Sequence, residues 1–176
     1  MLVSLVLAAL LAQAAPPAAP VNTVRQLRLE NTRLSRLGVA RLSELLAGTA
    51  FDDAVLQKAV AKVVASGLVR GAKIQLQPMP DRDTEVIVTF HMEDEPANGR
   101  AVLQFPKIKE AAAWRALEEA NELITPELPL NDKAIAYYTQ WIETYLDKDG
   151  APGFLKTNKV VAERNGNQVV FKAAKR

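Results

Sequence analysis

Few residues of this chain have the chemistry of a catalytic centre. His91 is the single histidine, and the chain contains no cysteine. Common metal sites need several histidine, cysteine or carboxylate ligands, and an activated nucleophile needs a serine or cysteine beside a histidine. Ser35, Ser43 and Ser66 fall at a predicted helix cap, in a helix and at a helix end, and none follows the pattern of a nucleophile elbow. We therefore expect His91 to be a surface or half-buried structural residue.

Paired carboxylates are the remaining candidates for acid–base chemistry. A glycosidase-type pair needs two carboxyl groups that face each other across a cleft, and only such a pair would favour a small hydrolase. The pairs of this chain fall instead at predicted caps, at turns and on a solvated helix face: Asp52/Asp53, Asp81/Asp83, Glu93/Asp94/Glu95 and Glu118/Glu119. The sequence therefore predicts a protein that is not an enzyme and that uses no cofactor and no metal.

Composition excludes two further classes of protein. Twenty-two Lys and Arg residues against 20 Asp and Glu residues leave a net charge of +2 with no block of like charges. A nucleic-acid-binding protein would concentrate its cations on one face, so we expect no nucleic-acid partner. Without cysteine there is no disulfide framework, and stability must come from apolar cores.

The N-terminal segment carries an export pattern. Residues 2–11 are apolar except for one serine, and Ala12-Gln13-Ala14 follows as a small-x-small cleavage signature. This pattern predicts a signal peptide over residues 1–14 and an Ala/Pro linker over residues 15–22. No lysine or arginine precedes the apolar run, so an uncleaved N-terminal anchor stays open as the alternative. After cleavage we expect an exported chain with no membrane-spanning segment.

The next stretch has the order of a small αβ layer domain. A strand pattern, two helical patterns and a strand pair follow one another: 24–29, 35–48, 52–67, 74–77 and 86–90. Leu37, Leu42, Leu45 and Leu46 are predicted to form the apolar face of the first helix, which Gly48 would end. In the last strand, alternation predicts that Val86, Val88 and Phe90 face the core, while the opposite face, with Ile87, Thr89 and His91, is largely polar.

The second half of the chain repeats this order with weaker markers. It shows a strand at 101–105, a helix at 107–123, a second helix capped by Asn131 or Asp132, and a hairpin at Asn165-Gly166, the signal of a type I′ turn. Trp114, Tyr138, Trp141 and Tyr145 have helical spacing and are expected to be mostly core. Tyr137 cannot share the face of Tyr138 and is a candidate contact surface, between the domains or with a partner.

We therefore predict an α+β chain of two tandem β-α-α-β-β domains, domain 1 over residues 23–95 and a divergent domain 2 over residues 100–176. Each would be a three-stranded mixed sheet covered on one face by two helices. The alternative is one αβ domain followed by an unrelated α+β piece.

The joint spacing of several segments resembles the POTRA (polypeptide-transport-associated) domain family. The segments are Leu29-Glu30-Asn31-Thr32 after the first strand, Gly48-Thr49-Ala50-Phe51-Asp52 before the second helix and Ser66-Gly67-Leu68-Val69 before the hairpin. The resemblance covers residues from about 24 to 93. Glu30 stands where the family commonly has a glycine before the asparagine, so this turn must form without glycine.

The resemblance implies a periplasmic module of outer-membrane protein assembly or two-partner secretion. In such domains the second strand of the sheet is a free edge, which binds client polypeptides or partner subunits by β-strand addition. In this chain the polypeptide-binding edge would consist of Ala72, Lys73, Ile74, Gln75, Leu76 and Gln77. The implied partners are outer-membrane proteins or subunits of the assembly machinery. The alternative is a structural component of an envelope complex such as the division machinery, anchored by an uncleaved N-terminal segment.

Overall fold

The computed structural model describes residues 22–176, so the predicted signal peptide and nearly all of the predicted linker lie outside the described residues. The first half contains β1 (Asn22–Glu30), α1 (Arg36–Ser43), β2 (Ala50–Phe51), α2 (Asp53–Ala65), β3 (Val69–Met79) and β4 (Arg82–Asp94). The second half contains β5 (Gly99–Gln104), α3 (Glu110–Ala120), β6 (Glu127–Leu128), α4 (Asp132–Tyr145), β7 (Asn158–Asn165) and β8 (Gln168–Lys175). A π-helical turn, Leu146–Gly150, and a short 3-10 turn, Phe154–Lys156, connect α4 to β7. The predicted α+β class and the repeated β-α-α-β-β order are confirmed.

Each half forms one mixed sheet, and the two sheets have the same topology. The strand orders are β2-β1-β4-β3 and β6-β5-β8-β7. In each sheet the first and last long strands run parallel, and the closing hairpin is antiparallel. The prediction of three strands per sheet misses β2 and β6, which have two residues each and are too short for an alternating pattern.

The core of domain 1 lies between its sheet and its two helices. Val86, Val88 and Phe90 of β4 are buried and face the helices, as predicted. The opposite face is largely polar, as predicted, although Ile87 and Thr89 are each only 7% exposed. These two residues lie on the central strand, where the side chains of β1 and β3 at paired positions, many of them long and polar, cover them from both sides.

Side-chain caps begin three of the four helices. Ser35 Oγ accepts a hydrogen bond from the third amide of its helix, Gly38 N, at 3.2 Å. Asp52 caps α2 in the same way at 2.8 Å, and Asn131 caps α4 at 2.9 Å. All three were predicted as caps, with Asp53 and Asp132 as alternatives at the second and third. Serine, aspartate and asparagine satisfy amides that the helix itself leaves without acceptors.

Helix α1 ends earlier than predicted. Glu44 adopts a left-handed conformation (φ 62°) and ends the helix four residues before Gly48. The chain therefore leaves the helix before Leu45, which is buried, and Leu46, which is 48% exposed. Leu37 is also exposed, at 42%. The prediction that these leucines share one buried face is wrong for Leu37 and Leu46.

Domain 2 builds its core from the corresponding elements. Trp114 of α3 and Tyr138 of α4 are buried, and the Tyr138 ring stacks on Phe171 of β8 with ring centroids 6.4 Å apart. Trp141 and Tyr145 are only half-buried, so the predicted aromatic core is confirmed in part. Helix α3 is shorter than the predicted 107–123, because the chain enters it through Lys107, which has a positive φ, and leaves it at Asn121.

The hairpin of domain 2 turns one residue later than the Asn-Gly signal predicts. Asn165 pairs with Gln168, so Gly166 and Asn167 are the two turn residues. Of these two, only Gly166 has a positive φ, which matches the first-position glycine of a type II′ turn rather than a type I′ turn. The burial of Val169 and Phe171 on β8 decides this register, since a slip of one residue would expose both.

The two closing strands make a direct test of this core. Phe90 on β4 and Phe171 on β8 are both fully buried. We expect Phe90→Ala and Phe171→Ala each to lower the free energy of unfolding by about 3–5 kcal/mol, because a large cavity replaces the ring. Leu46→Ala, at an exposed position, should cost less than about 1 kcal/mol. Urea denaturation followed by circular dichroism measures all three, and equal losses would contradict the assigned core.

Candidate functional site

The residues with catalytic chemistry do not converge in the structure. His91 is half-buried on the open face of the first sheet, with Nδ1 3.0 Å from a carboxylate oxygen of Glu30 and Nε2 2.9 Å from Gln75 Oε1. It therefore ties the three long strands together. Asp52 caps a helix. Asp94 accepts one hydrogen bond from Thr32 Oγ1 and another from the backbone amide of Arg33. Among residues 22–176, no group of three or more His, Cys, Asp or Glu side chains is arranged to hold a metal ion.

The six residues predicted to form the polypeptide-binding edge, 72–77, all lie on β3. Among residues 22–176 this strand is the outermost strand of its sheet and pairs only with β4. In an antiparallel pair alternate residues direct their N–H and C=O groups toward the partner strand, so the remaining backbone groups of an edge strand point outward. Pro78 lies near the end of the strand, opposite Val86. A proline removes one donor from an edge and shortens the run that another strand can pair with.

An apolar groove runs beside this edge, between β3 and α2. Its volume is about 610 Å³. Val60 and Val64 line it from the helix, at positions i and i+4, and Ile74 and Leu76 line it from the strand. Leu76 is 41% exposed, which is high for a large apolar side chain next to a core. The groove was not predicted, although the i, i+4 valines and the alternating Ile74 and Leu76 carry its signal in the sequence.

Helix caps also join the two domains. Asn131 caps α4 with its Oδ1, and its Nδ2 donates a hydrogen bond of 2.8 Å to the carbonyl of Gly67 in domain 1. Ser35 caps α1, and its hydroxyl donates to the carboxylate of Glu122 in domain 2. In both caps the side-chain oxygen accepts a hydrogen bond from an amide of its own helix, and a side-chain O–H or N–H group donates to the other domain.

Close backbone packing accompanies these contacts. A Cβ on Gly38 of α1 would lie 2.6 Å from Leu123 Cγ of domain 2, so only a glycine allows this approach. Gly67 has a positive φ of 71° and lies against the first turn of α4, where a side chain has no room. The buried apolar residues of both domains form one contiguous cluster. Apolar packing as well as hydrogen bonding therefore joins the two domains.

Tyr137, the predicted contact residue, lines a cleft between the domains. Its hydroxyl accepts a hydrogen bond of 2.8 Å from Nδ2 of Asn121, which is itself buried. Burial raises the pKa of the Tyr137 hydroxyl, and hydrogen bonds to the side chains of Asn121 and Trp141 act in the opposite direction. The ring is consequently fixed as part of the cleft wall, and its hydroxyl remains neutral at physiological pH.

No protein-family model and no curated protein matches the chain. Among solved structures, POTRA domains 1–2 of the periplasmic domain of Omp85 from Anabaena are 15% identical, with a TM-score of 0.37 and coverage of 89% of this chain and 94% of that chain. POTRA domains 3–5 of BamA from Haemophilus influenzae are 17% identical, with a TM-score of 0.41 and coverage of 90% and 67%.

Both structures are POTRA domains. They thus belong to the family that the sequence resembles. CdiB from Escherichia coli is also similar, at 14% identity and a TM-score of 0.30; the match covers 96% of this chain but 30% of CdiB. Among the described residues, no helix is both long and apolar enough to cross a membrane.

The contact of Asn131 with both domains can be tested with the helix left intact. Asn131→Asp keeps a good cap for α4 but removes the Nδ2 donor, which leaves the buried carbonyl of Gly67 without its partner. We expect the free energy of unfolding to fall by about 1–3 kcal/mol. Helix content, measured by far-UV circular dichroism, should not change.

The control for this variant is Asp52→Asn at the cap of α2, where the side chain has only its cap contact. Because asparagine and aspartate cap equally well, this change should cost only a few tenths of a kcal/mol, roughly. ¹⁵N relaxation should show the two domains tumbling as one body in the control and less tightly coupled in Asn131→Asp. Equal stability and equal relaxation of the two variants would contradict a role for Asn131 in joining the domains.

Proposed function

We propose that this protein is a non-enzymatic periplasmic module that binds polypeptides by β-strand addition at β3, in outer-membrane protein assembly or secretion. The observation that carries the proposal is the position of β3, an 11-residue edge strand with an apolar groove along one side. The resemblance of the sequence to POTRA domains supports the same site and the same class of partner.

The edge explains why such a protein can bind many clients. An extended segment that pairs with β3 gains hydrogen bonds through its main chain, which every sequence provides. Selectivity comes from the groove, because every second side chain of the added strand points toward the side of the sheet that α2 covers. The preferred client is therefore an extended segment in which apolar residues alternate with polar ones.

Alternation of this kind is the pattern of membrane β-strands, whose lipid-facing side chains alternate with polar ones. An unfolded segment of an outer-membrane protein therefore has the chemistry that β3 and its groove would bind. The weak selectivity of main-chain pairing suits a scaffold that handles several such clients or joins partner subunits.

The binding mode can be tested by NMR titration with such a peptide, taken from an outer-membrane protein. We expect chemical-shift changes in residues 72–77 and in the groove residues of α2. A second peptide of the same sequence, N-methylated at alternate backbone nitrogens, cannot pair along one edge and should bind much more weakly. The absence of shifts in residues 72–77 at millimolar peptide, or equal binding of the methylated peptide, would refute strand addition at β3.

Substitutions at two neighbouring residues distinguish the contribution of the groove to peptide binding from that of the rest of the strand. Leu76→Glu places a charge in the groove, while Gln77→Glu places the same charge on the open face of the sheet. We expect Leu76→Glu to weaken peptide binding by about tenfold or more, since it removes the burial of an apolar side chain worth roughly 1.5–3 kcal/mol. Gln77→Glu should change the affinity by much less. Equal effects would show that the groove does not contribute.

Export is part of the proposal and is supported by the pattern of residues 1–14. Expression of the full chain in a Gram-negative host should place the protein in the periplasmic fraction. Intact-mass measurement should show a chain that begins at Ala15, as the small-x-small signature predicts. A membrane-bound protein that keeps Met1 would instead favour the anchored structural component.

A further inference from the structure

The cleft at Tyr137 is part of a longer groove between the two domains. Two adjoining hollows of about 480 and about 510 Å³ share Leu42, Tyr137 and Gln140 in their walls. Helix α4 forms one wall with residues at helical spacing: Lys133, Ala136, Tyr137, Gln140, Trp141 and Thr144. This face extends over the 12 residues 133–144, and the 11 steps of 1.5 Å between its ends give a length of roughly 16 Å, or three helical turns.

The other wall comes from domain 1. Arg41 and Leu42 of α1 line it beside the start of the groove, and Lys62 at the end of α2 lines it farther along. The groove therefore exists only while the interface holds the domains together. It lies among the helices and is separate from the edge of β3.

The side chains of the groove combine apolar surface with positive charge. Leu42, Tyr137 and Trp141 supply half-buried apolar and aromatic area. Arg41 and Lys133 are exposed and form no ion pair with any of residues 22–176, whereas Lys62 is paired with Glu44 outside the groove. No lining residue of either hollow is a carboxylate. A ligand of complementary chemistry is therefore apolar on one side and negatively charged beside it.

The walls also determine the conformation of a polypeptide in the groove. Helices α1, α2 and α4 use their backbone groups within themselves, so their sides offer no free N–H or C=O groups for pairing. A peptide here must satisfy its own backbone, which a helix does and an extended strand does not. Helix-in-groove recognition typically uses apolar anchors at i, i+3, i+4 and i+7, a spacing that fits the three-turn face of α4.

We propose that this interdomain groove binds an acidic amphipathic helix of a partner protein. Its apolar side chains would pack on Leu42, Tyr137 and Trp141, and its carboxylates would lie near Arg41 and Lys133. The chain would then have two recognition sites with different requirements, an edge for extended segments and a groove for a helix.

The test uses three designed 18-residue peptides with leucines at i, i+3, i+4 and i+7. The first carries four glutamates beside the leucines and alanines elsewhere, the second carries lysines in place of the glutamates, and the third is the glutamate peptide with a central proline that breaks the helix. The two tryptophans of the chain are Trp114 and Trp141. In a Trp114→Phe background the fluorescence therefore reports on Trp141 in the groove.

We expect the glutamate peptide to change the Trp141 emission and to shift the NMR signals of Tyr137 and Trp141 but not those of residues 72–77. The lysine and proline peptides should bind at least about tenfold more weakly. Raising the salt concentration should weaken the glutamate peptide, because exposed charges are screened. In the double variant Arg41→Glu/Lys133→Glu the preference should reverse toward the lysine peptide.

The matched control is Arg28→Glu/Lys159→Glu, which changes the net charge equally at exposed strand positions outside the groove. It should bind the glutamate peptide like the parent chain, and both double variants should keep the parent's circular dichroism spectrum.

Three results would overturn the proposal. The first is equal binding of the glutamate and lysine peptides, and the second is no change in the signals of Tyr137 and Trp141 with millimolar glutamate peptide. The third is a concentration-dependent dimer that Arg41→Glu/Lys133→Glu abolishes, because a second copy of the chain would then occupy the groove. A failure of strand addition at β3 would be seen with the extended peptides alone and would leave these results unaffected.

Discussion

The parallel pairing of the first and last long strands is the constraint on which the rest of each domain depends. Because β1 and β4 occupy the centre of the sheet, the intervening strand β3 can pair on only one side. Its edge is therefore a consequence of chain order rather than of its own sequence. The same pairing buries β4 on both faces, which explains why Ile87 and Thr89 are protected although the alternation of β4 assigns them to the open face.

A second constraint is that single polar side chains at the domain boundary make hydrogen bonds both within their own helix and to the other domain. Close backbone packing and two side-chain hydrogen bonds join the domains at this boundary. Ser35 and Asn131 are suited to this because each has a donor and an acceptor: the acceptor caps its own helix and the donor reaches the other domain. The direction in which α1 and α4 begin is thereby coupled to the arrangement of the domains. The shape of the groove between these helices depends on the same contacts.

The parts of this structure that short-range patterns encode could be predicted, and the parts that depend on distant contacts could not. Caps at Ser35, Asp52 and Asn131 follow from local chemistry, and the tandem β-α-α-β-β order follows from apolar periodicity. The end of α1 at Glu44 does not, because a glutamate seldom adopts the left-handed conformation that it has there, and nothing in the local pattern marks it for one. The walls of the interdomain groove lie on elements far apart in sequence, so Leu42 and Trp141 carry no joint signal before the chain is folded. The groove beside β3 lies between consecutive elements, and its valines and alternating Ile74 and Leu76 do carry a signal, which the predicted edge left unused.

The two surfaces differ in what limits their affinity. In the proposed strand addition at β3, an extended client would give up the conformational freedom of its backbone, at about 1–2 kcal/mol per residue, so binding by the edge alone would be weak and reversible. The helical ligand proposed for the interdomain groove would give up less backbone freedom, and its affinity would depend instead on how firmly Leu42, Tyr137 and Trp141 are held. Under the two proposals, weak capture at β3 would suit clients that are passed on, whereas the preformed groove would suit a partner that stays. Such a division of roles needs a rigid domain pair, because only then do the edge and the groove keep constant positions relative to each other.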